Sequence, residues 1–198
     1  LFNENGTSKT KMYSMKMGYN WISGNSEQTE WWPWMNNRWI LPKQRFIIWV
    51  MAHNSLLTRA RMQHLNMTTT GECYICDDGL ETVNHLFFRC RYSRNVFEEI
   101  GDWCDIQFPV DECINWWLQY TERSATKKKI VGVIMATCIY FLWHARNWEK
   151  IELLVSTHND VIRRIKNDVI RRLESLELKT ECPNTRSWIE RLKMGEPG

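Results

Sequence analysis

The sequence has 198 residues, of which 43% are hydrophobic and 25% charged, a balance typical of a globular protein that excludes a largely disordered chain. This length allows one ordinary domain or two small ones. The net charge of +3 identifies no partner, but no acidic residue occurs between Trp31 and Gly71, whereas acidic residues cluster between Glu98 and Glu112. Such an uneven distribution fits either a basic face presented to a polyanion or ordinary solvated charge.

The N-terminal third gives few firm predictions of secondary structure. Residues 1–10 are polar, and we expect them to be flexible, as we do residues 181–198. Residues 11–22 carry alternating and aromatic residues that predict a short strand leading into a helix, and residues 23–26 have the composition of a turn. Trp31, Trp32 and Trp34 flank Pro33 in a predicted loop, where they could pack in a core or stack on bases.

Helical spacing becomes clear after Pro42. One helix is predicted to have an inner face formed by Phe46, Trp49, Val50, His53 and Leu57. Thr58 is the predicted N-cap of a short second helix. A further helix is predicted to be capped by Ser93, to point Val96, Phe97 and Ile100 inward, and to end at Gly101.

The C-terminal half is also predicted to be helical. A helix with Cys113, Trp116, Trp117 and Tyr120 on one face follows Pro109, and a long helix runs from about residue 127 to about residue 154. The uncharged apolar run 130–143 has 14 residues, which is short for a membrane span and typical of a buried core helix. Apolar residues at helical spacing over 162–176 predict one more helix. The fold class is therefore mainly α, with short helices around a zinc knot followed by a helical C-terminal region.

The knot is indicated by four residues: Cys73, Cys76, His85 and Cys90. Two cysteines separated by two residues form a knuckle, and a His/Cys pair follows it. Three thiolates and one imidazole fill all four positions of a tetrahedral zinc ion, as in structural sites, whereas a catalytic zinc keeps one position open. Soft sulfur ligands argue against calcium, magnesium or manganese. The sequence therefore predicts one structural Zn²⁺, and buried free thiols are the alternative.

Other features of the sequence bear on the cellular compartment of the chain and on whether it is an enzyme. The remaining cysteines, Cys104, Cys113, Cys138 and Cys182, have no metal-ligand spacing, and the total of seven favours metal binding over disulfides. No secretory signal is recognisable, so we expect an intracellular protein, nuclear or cytoplasmic, that is not secreted and not membrane-bound. His53 and His64 have no nucleophile or carboxylate at a meaningful spacing, and we expect no enzymatic activity.

Several segments together resemble one family. They are residues 39–49 with their tryptophans, residues 56–61, residues 81–90 around His85 and Cys90, and residues 139–147 with the pattern Trp-x-Ala-Arg-Asn. These segments are similar to the zinc-binding region of plant non-LTR (LINE-type) retrotransposon reverse transcriptases. The likeness extends from about residue 11 to about residue 176, and it implies the same four zinc ligands. It divides the chain into a zinc-binding domain over 11–108 and a helical region over 109–180.

The resemblance implies an accessory module that handles RNA and target DNA within a larger reverse transcriptase during target-primed reverse transcription. No polymerase Asp-Asp motif carries over, because Asp77-Asp78 lies inside the metal loop. The arginines near the knot are the candidates for phosphate contacts: Arg59, Arg61, Arg89, Arg91 and Arg94. The alternative is a domesticated helical zinc module that acts in protein–protein interaction, through the helices at 130–143 and 162–176.

Overall fold

The computed structural model describes residues 32–108, 119–152, 157–176, 178 and 182–195. Within these residues the regular structure is helical, apart from an isolated antiparallel bridge between Glu72 and Leu80, so the predicted mainly-α class is confirmed. The elements are α1 (Trp32–Met35), α2 (Pro42–Ala52), α3 (Arg59–His64), a π-helical segment (His85–Arg89), α4 (Arg91–Cys104), α5 (Ala125–Glu152), α6 (His158–Glu174) and α7 (Pro183–Met194). The predictions for residues 11–26 and for the helix with Cys113, Trp116 and Trp117 fall outside the described residues.

Helix α5 forms the centre of the core. Its residues from Ile130 to Ile139 are buried, and it packs against α2 on one side and α6 on another, while α4 packs against α6. By length and composition Ala125–Asn147 could cross a membrane, with a mean hydropathy of 1.2, but 61% of the tested window is buried inside the protein, as in a core helix. One hydrophobic core thus contains helices from both sides of the domain boundary predicted at residue 108.

The sequence predicted one of the two C-terminal helices, α6, but not the other, α7. Helix α6 confirms the predicted apolar spacing, with Ile162, Ile165, Val169 and Leu173 buried, and the side chain of Thr157 accepts a hydrogen bond from the backbone N–H of Asp160 at its start. The expectation that 181–198 is flexible is wrong for 183–194. Helix α7 is anchored there because Trp188 is buried and its indole N–H donates to the carbonyl oxygen of Cys104 at 2.7 Å.

The predicted inner face of α2 is also wrong. Phe46 is 60% exposed and His53 is exposed, whereas Ile48 and Met51 are buried together with Gln44. The buried Gln44 amide sets this orientation, because its Nε2 donates to Thr137 Oγ1 at 3.0 Å on α5 and to Asp168 Oδ2 at 2.9 Å on α6. A buried polar side chain, which the apolar pattern does not reveal, thus turns the aromatic residues outward.

Two further predictions about where helices lie differ from the structure. Trp34 lies in helix α1 rather than in a loop and is buried. Helix α4 begins before Ser93, whose hydroxyl donates to the carbonyl of Leu86 at 2.6 Å, and it continues past Gly101 to Cys104, while its predicted inward residues Val96, Phe97 and Ile100 are buried. Gly101 is needed for close packing, since a Cβ there would lie 2.7 Å from the backbone oxygen of Ile106.

Candidate metal centre

A short reversal of the chain between Gly71 and Glu81 positions the first two ligands. The N–H of Glu81 donates to the carbonyl of Gly71 at 2.8 Å, and the N–H of Cys73 donates to the carbonyl of Gly79 at 3.0 Å. The tight turn between them needs a left-handed backbone at Asp77 and Gly79, residue types that tolerate it. The reversal brings the thiols of Cys73 and Cys76 to the same side of the turn.

The second pair of ligands is carried by the π-helical segment. The N–H of Cys90 donates to the carbonyl of His85 at 2.7 Å, one residue wider than an α-helical turn, and Thr82 Oγ1 accepts from the N–H of His85 at 3.0 Å. Such single π turns are frequent at functional sites. Between the two ligands, three buried apolar residues fasten the segment to the core: Leu86, Phe87 and Phe88.

The four ligand atoms fit a tetrahedral zinc ion. The candidate donor atoms of Cys73, Cys76, His85 and Cys90 all lie within 4.8 Å of one another. Sγ of Cys73 is 4.0 Å from Sγ of Cys90, and Sγ of Cys76 is 3.3 Å from Nε2 of His85. Around a tetrahedral zinc the S···S and S···N separations are about 3.8 and about 3.6 Å, from bond lengths of about 2.3 and 2.0–2.1 Å. Little movement is needed for the four residues to enclose the ion.

The local electrostatics favour a cation at the centre. Backbone hydrogen bonds lower the pKa of each thiol and so favour its thiolate: those of Ile75 and Cys76 act on Cys73, that of Asp78 on Cys76 and that of Ser93 on Cys90. A hydrogen bond with Cys90, assisted by burial, raises the pKa of the Cys73 thiol, while the same contact lowers the pKa of Cys90. Burial lowers the pKa of His85, which keeps its imidazole neutral as a ligand must be. The donor set, the amides and the neutral imidazole all suit zinc.

Comparison with known families decides what this site is. Residues 13–97 match the family model described as zinc-binding in reverse transcriptase. This segment is a reverse-transcriptase zinc-binding domain. The chain holds one structural zinc ion in its Cys₃His site, as both the family and the geometry support. No curated protein and no solved structure gives a significant match to the chain.

A buried glutamate joins the zinc-binding domain to the long helix, and sequence reasoning missed it. Glu81 is completely buried, and its Oε1 accepts from the backbone N–H of Arg59 at 2.8 Å, at the start of α3. Its Oε2 accepts from the N–H of Tyr74 at 3.3 Å, next to the ligand Cys73. The carboxylate therefore holds the start of α3 and the zinc knuckle in one fixed relation.

The partner of this carboxylate lies 65 residues away. Arg146 of α5, also buried, contacts Glu81 Oε1 through Nε at 3.0 Å and through a terminal nitrogen at 2.7 Å. Its guanidinium carbon also lies 5.4 Å from the centre of the Tyr74 ring. Glu81 and Arg146 both fall in segments that carried the family resemblance, but no spacing rule could have paired residues so far apart.

The predicted phosphate-binding arginines have different surroundings. Arg61, Arg89, Arg91 and Arg94 are exposed around the zinc site and α4. Arg59 is half-buried, with its guanidinium carbon 3.9 Å from the centre of the Tyr74 ring and a hydrogen bond to the hydroxyl of Thr70. Arg61 donates to the carbonyl of Asn54 at 2.8 Å. Arg89, Arg91 and Arg94 thus remain the best placed of the five to meet a phosphate.

The cysteines outside the site behave as single residues. Cys104 and Cys138 are buried, Cys182 is exposed, and none of the three forms a disulfide with a described residue. Burial raises the pKa of Cys104 to about 12, which makes it unreactive. Cys113 lies outside the described residues. His53 is exposed, with Nδ1 2.8 Å from the carbonyl of Trp49, and so is not the core residue that its spacing predicted.

Proposed function

We propose that the chain is a zinc-stabilised accessory module of a LINE-type reverse transcriptase. It binds RNA or DNA in support of target-primed reverse transcription and has no polymerase activity of its own. The observation that carries this proposal is the reverse-transcriptase zinc-binding domain at residues 13–97, with its Cys₃His site assembled. A thiolate zinc site is stable in a reducing compartment, so the proposed location is the nucleus or cytoplasm.

The charge around the site supports a nucleic-acid partner. Arg89 ends the π-helical segment, and Arg91 and Arg94 stand on the first turn of α4. Zinc coordination by His85 and Cys90 fixes the backbone from which these three exposed arginines project. Ordered cations neutralise phosphates and release counterions, which is the main source of affinity for nucleic acids. The zinc would thus act indirectly, by holding a basic edge in place.

The experiment measures binding of a fluorescently labelled single-stranded RNA of 20 nucleotides, by anisotropy, at several salt concentrations. Changing Arg89, Arg91 and Arg94 together to Gln should weaken binding and reduce the slope of log K against log salt by about 2, since each single-strand phosphate contact contributes about 0.7. The charge-matched control is Arg163→Gln together with Arg191→Gln and Lys193→Gln, which also removes three cations, from α6 and the last turn of α7. If the wild-type chain binds neither RNA nor DNA at low salt, the proposal fails.

Protein–protein interaction is the second candidate, and one observation favours it. The exposed Phe46 borders a shallow, open depression of about 350 Å³ that is also lined by Met35, Pro42, Arg45 and Trp49, a surface on which a partner could dock. The helices first considered for this role, α5 and α6, pack against each other within the chain. This candidate gains support if Phe46→Ala abolishes binding to the remaining reverse-transcriptase polypeptide while RNA binding is unchanged.

A further inference from the structure

The loop between α1 and α2 is held firmly against two later helices. Asn37 Nδ2 donates to the carbonyl of Lys129 at 2.9 Å on α5, and its Oδ1 accepts from the N–H of Trp39 at 3.1 Å. From α6, Arg172 donates through Nε to the carbonyl of Trp39 at 2.7 Å and through a terminal nitrogen to the carbonyl of Arg38 at 3.1 Å. Residues distant in sequence therefore meet at this loop in a fixed arrangement.

Four cations meet there, and we call them the loop basic face: Arg38, Lys128, Lys129 and Arg172. Lys128 Nζ lies 5.6 Å from the ring centre of Trp34, and Lys129 Nζ lies 5.2 Å from that of Trp39. The rings support the lysine side chains and reduce the entropy that each would lose on meeting a ligand. Arg172 is held by two carbonyls and by the hydroxyl of Ser175.

The positive charge of this face is not balanced by ion pairs within the part of the chain that the structure describes. Among the described residues, none of its four members forms an ion pair with a carboxylate. Two nearby acids are otherwise engaged: Glu122, which precedes α5, pairs with Lys127, and Asp168 on α6 accepts from Gln44. Glu174, exposed near the end of α6, lies two residues from Arg172 in sequence and forms no ion pair with it.

The fold gains little stability from placing these charges together. Lys128 and Lys129 stand near the start of the 28-residue helix α5, whose first turn has no acidic residue. The helix dipole disfavours cations at this end by about 0.3–1 kcal/mol within the first turn and by less beyond it, so the cost falls mainly on Lys128. The contacts with the tryptophan rings offset part of this cost, so the fold alone gives little reason for the cluster, and binding of an anion would explain it.

We infer that the loop basic face is a second nucleic-acid contact, which binds the phosphate backbone independently of the arginines beside the zinc site. This inference rests on the proposed nucleic-acid binding and deepens it, because it adds Lys128 and Lys129 of α5, which the sequence analysis did not single out, to the basic stretch around Arg38. The supported lysines act as point charges, so the contact positions a strand without reading its sequence. Together the two surfaces would let one module hold a strand at two places.

The test uses the full chain and the same labelled RNA. Lys128→Gln with Lys129→Gln keeps much of each aliphatic stem on its tryptophan and removes both charges. We expect the slope of log K against log salt to fall by about 1.4, from about 0.7 for each single-strand contact. The charge-matched control is Arg191→Gln with Lys193→Gln in the last turn of α7, which should leave the slope unchanged. The wild type and all variants should have the same zinc content and the same helical circular dichroism.

The outcomes separate this inference from the function on which it rests. If the wild type binds RNA, and the Lys128/Lys129 variant has the same slope and affinity as the α7 control, the loop basic face is not a contact and the inference is overturned. If the wild type does not bind at all, the proposed function itself fails and the inference fails with it. A reduced slope confined to the Lys128/Lys129 variant supports both.

Discussion

Removing the buried guanidinium of Arg146 should be among the most damaging single changes in the chain. In Arg146→Met a side chain of similar length replaces the arginine, and the carboxylate of Glu81 loses the only cation that the described structure gives it. Glu81 has no access to water, so its charge can be compensated only by the N–H groups of Arg59 and Tyr74. The change therefore leaves the buried negative charge of Glu81 without a cationic partner, beside the zinc knuckle.

The expected loss of stability follows from the burial of the Glu81–Arg146 ion pair. Breaking a buried ion pair by removing one partner costs about 3–5 kcal/mol. A domain is stable by only about 5–15 kcal/mol in total. For a chain of this size each kcal/mol corresponds to about 2–4 °C, so the melting temperature should fall by about 6–20 °C at fixed zinc concentration.

The assay is thermal and urea unfolding followed by circular dichroism, with zinc held constant because binding of a ligand shifts apparent stability. Arg163→Met is the control, since the Arg163–Asp160 pair lies on the surface and its loss should cost at most about 1 kcal/mol. In the double variant Glu81→Gln with Arg146→Met neither ionic partner remains. It should therefore be more stable than Arg146→Met alone.

Two results would refute this reasoning. One is a loss below about 1 kcal/mol for Arg146→Met, equal to the control, which would mean that water or another group compensates Glu81. The other is a double variant less stable than Arg146→Met, which would mean that Glu81 acts mainly through its backbone contacts.

Two further predictions concern single residues away from the zinc site. Gly101→Ala should lower the urea midpoint, because the new Cβ would lie 2.7 Å from the backbone oxygen of Ile106. Such overpacking costs about 1–3 kcal/mol, more than the higher helix propensity of alanine restores. An unchanged or higher midpoint would contradict this prediction. Cys182 should be alkylated by iodoacetamide before Cys104 at pH 7.5, because hydrogen bonds from Thr185 lower its pKa whereas burial raises that of Cys104 to about 12. Peptide mass mapping over time measures both rates, and equal rates would show that burial does not protect Cys104.

Local and periodic features were the ones that the sequence predicted correctly. The zinc ligands are close in sequence and differ in type from their neighbours, so spacing was enough to identify Cys73, Cys76, His85 and Cys90. Helix α6 was found because its apolar residues recur at helical spacing. The N-cap at Thr58 was found because its side chain satisfies a local N–H, that of Arg61.

Features that depend on distant partners were missed. The orientation of α2 follows from hydrogen bonds of Gln44 to α5 and α6, which apolar periodicity cannot show. The order of residues 183–194 depends on Trp188 reaching the carbonyl of Cys104, 84 residues away. The Glu81–Arg146 pair is likewise a tertiary contact, although each residue lies in a segment that had drawn attention for other reasons.

The most direct test of the central claim is the zinc content of the purified chain, compared with Cys90→Ser and with Cys182→Ser as the control. The site predicts one zinc ion per chain in the wild type and in Cys182→Ser, with helical circular dichroism lost as a chelator removes it. Structural zinc of this kind contributes about 10–16 kcal/mol of apparent free energy, comparable to the stability of a whole domain. Cys90→Ser should therefore lose both zinc and helicity. Full helicity without zinc in the wild type would contradict the account, since the Cys₃His cluster would then not organise the fold.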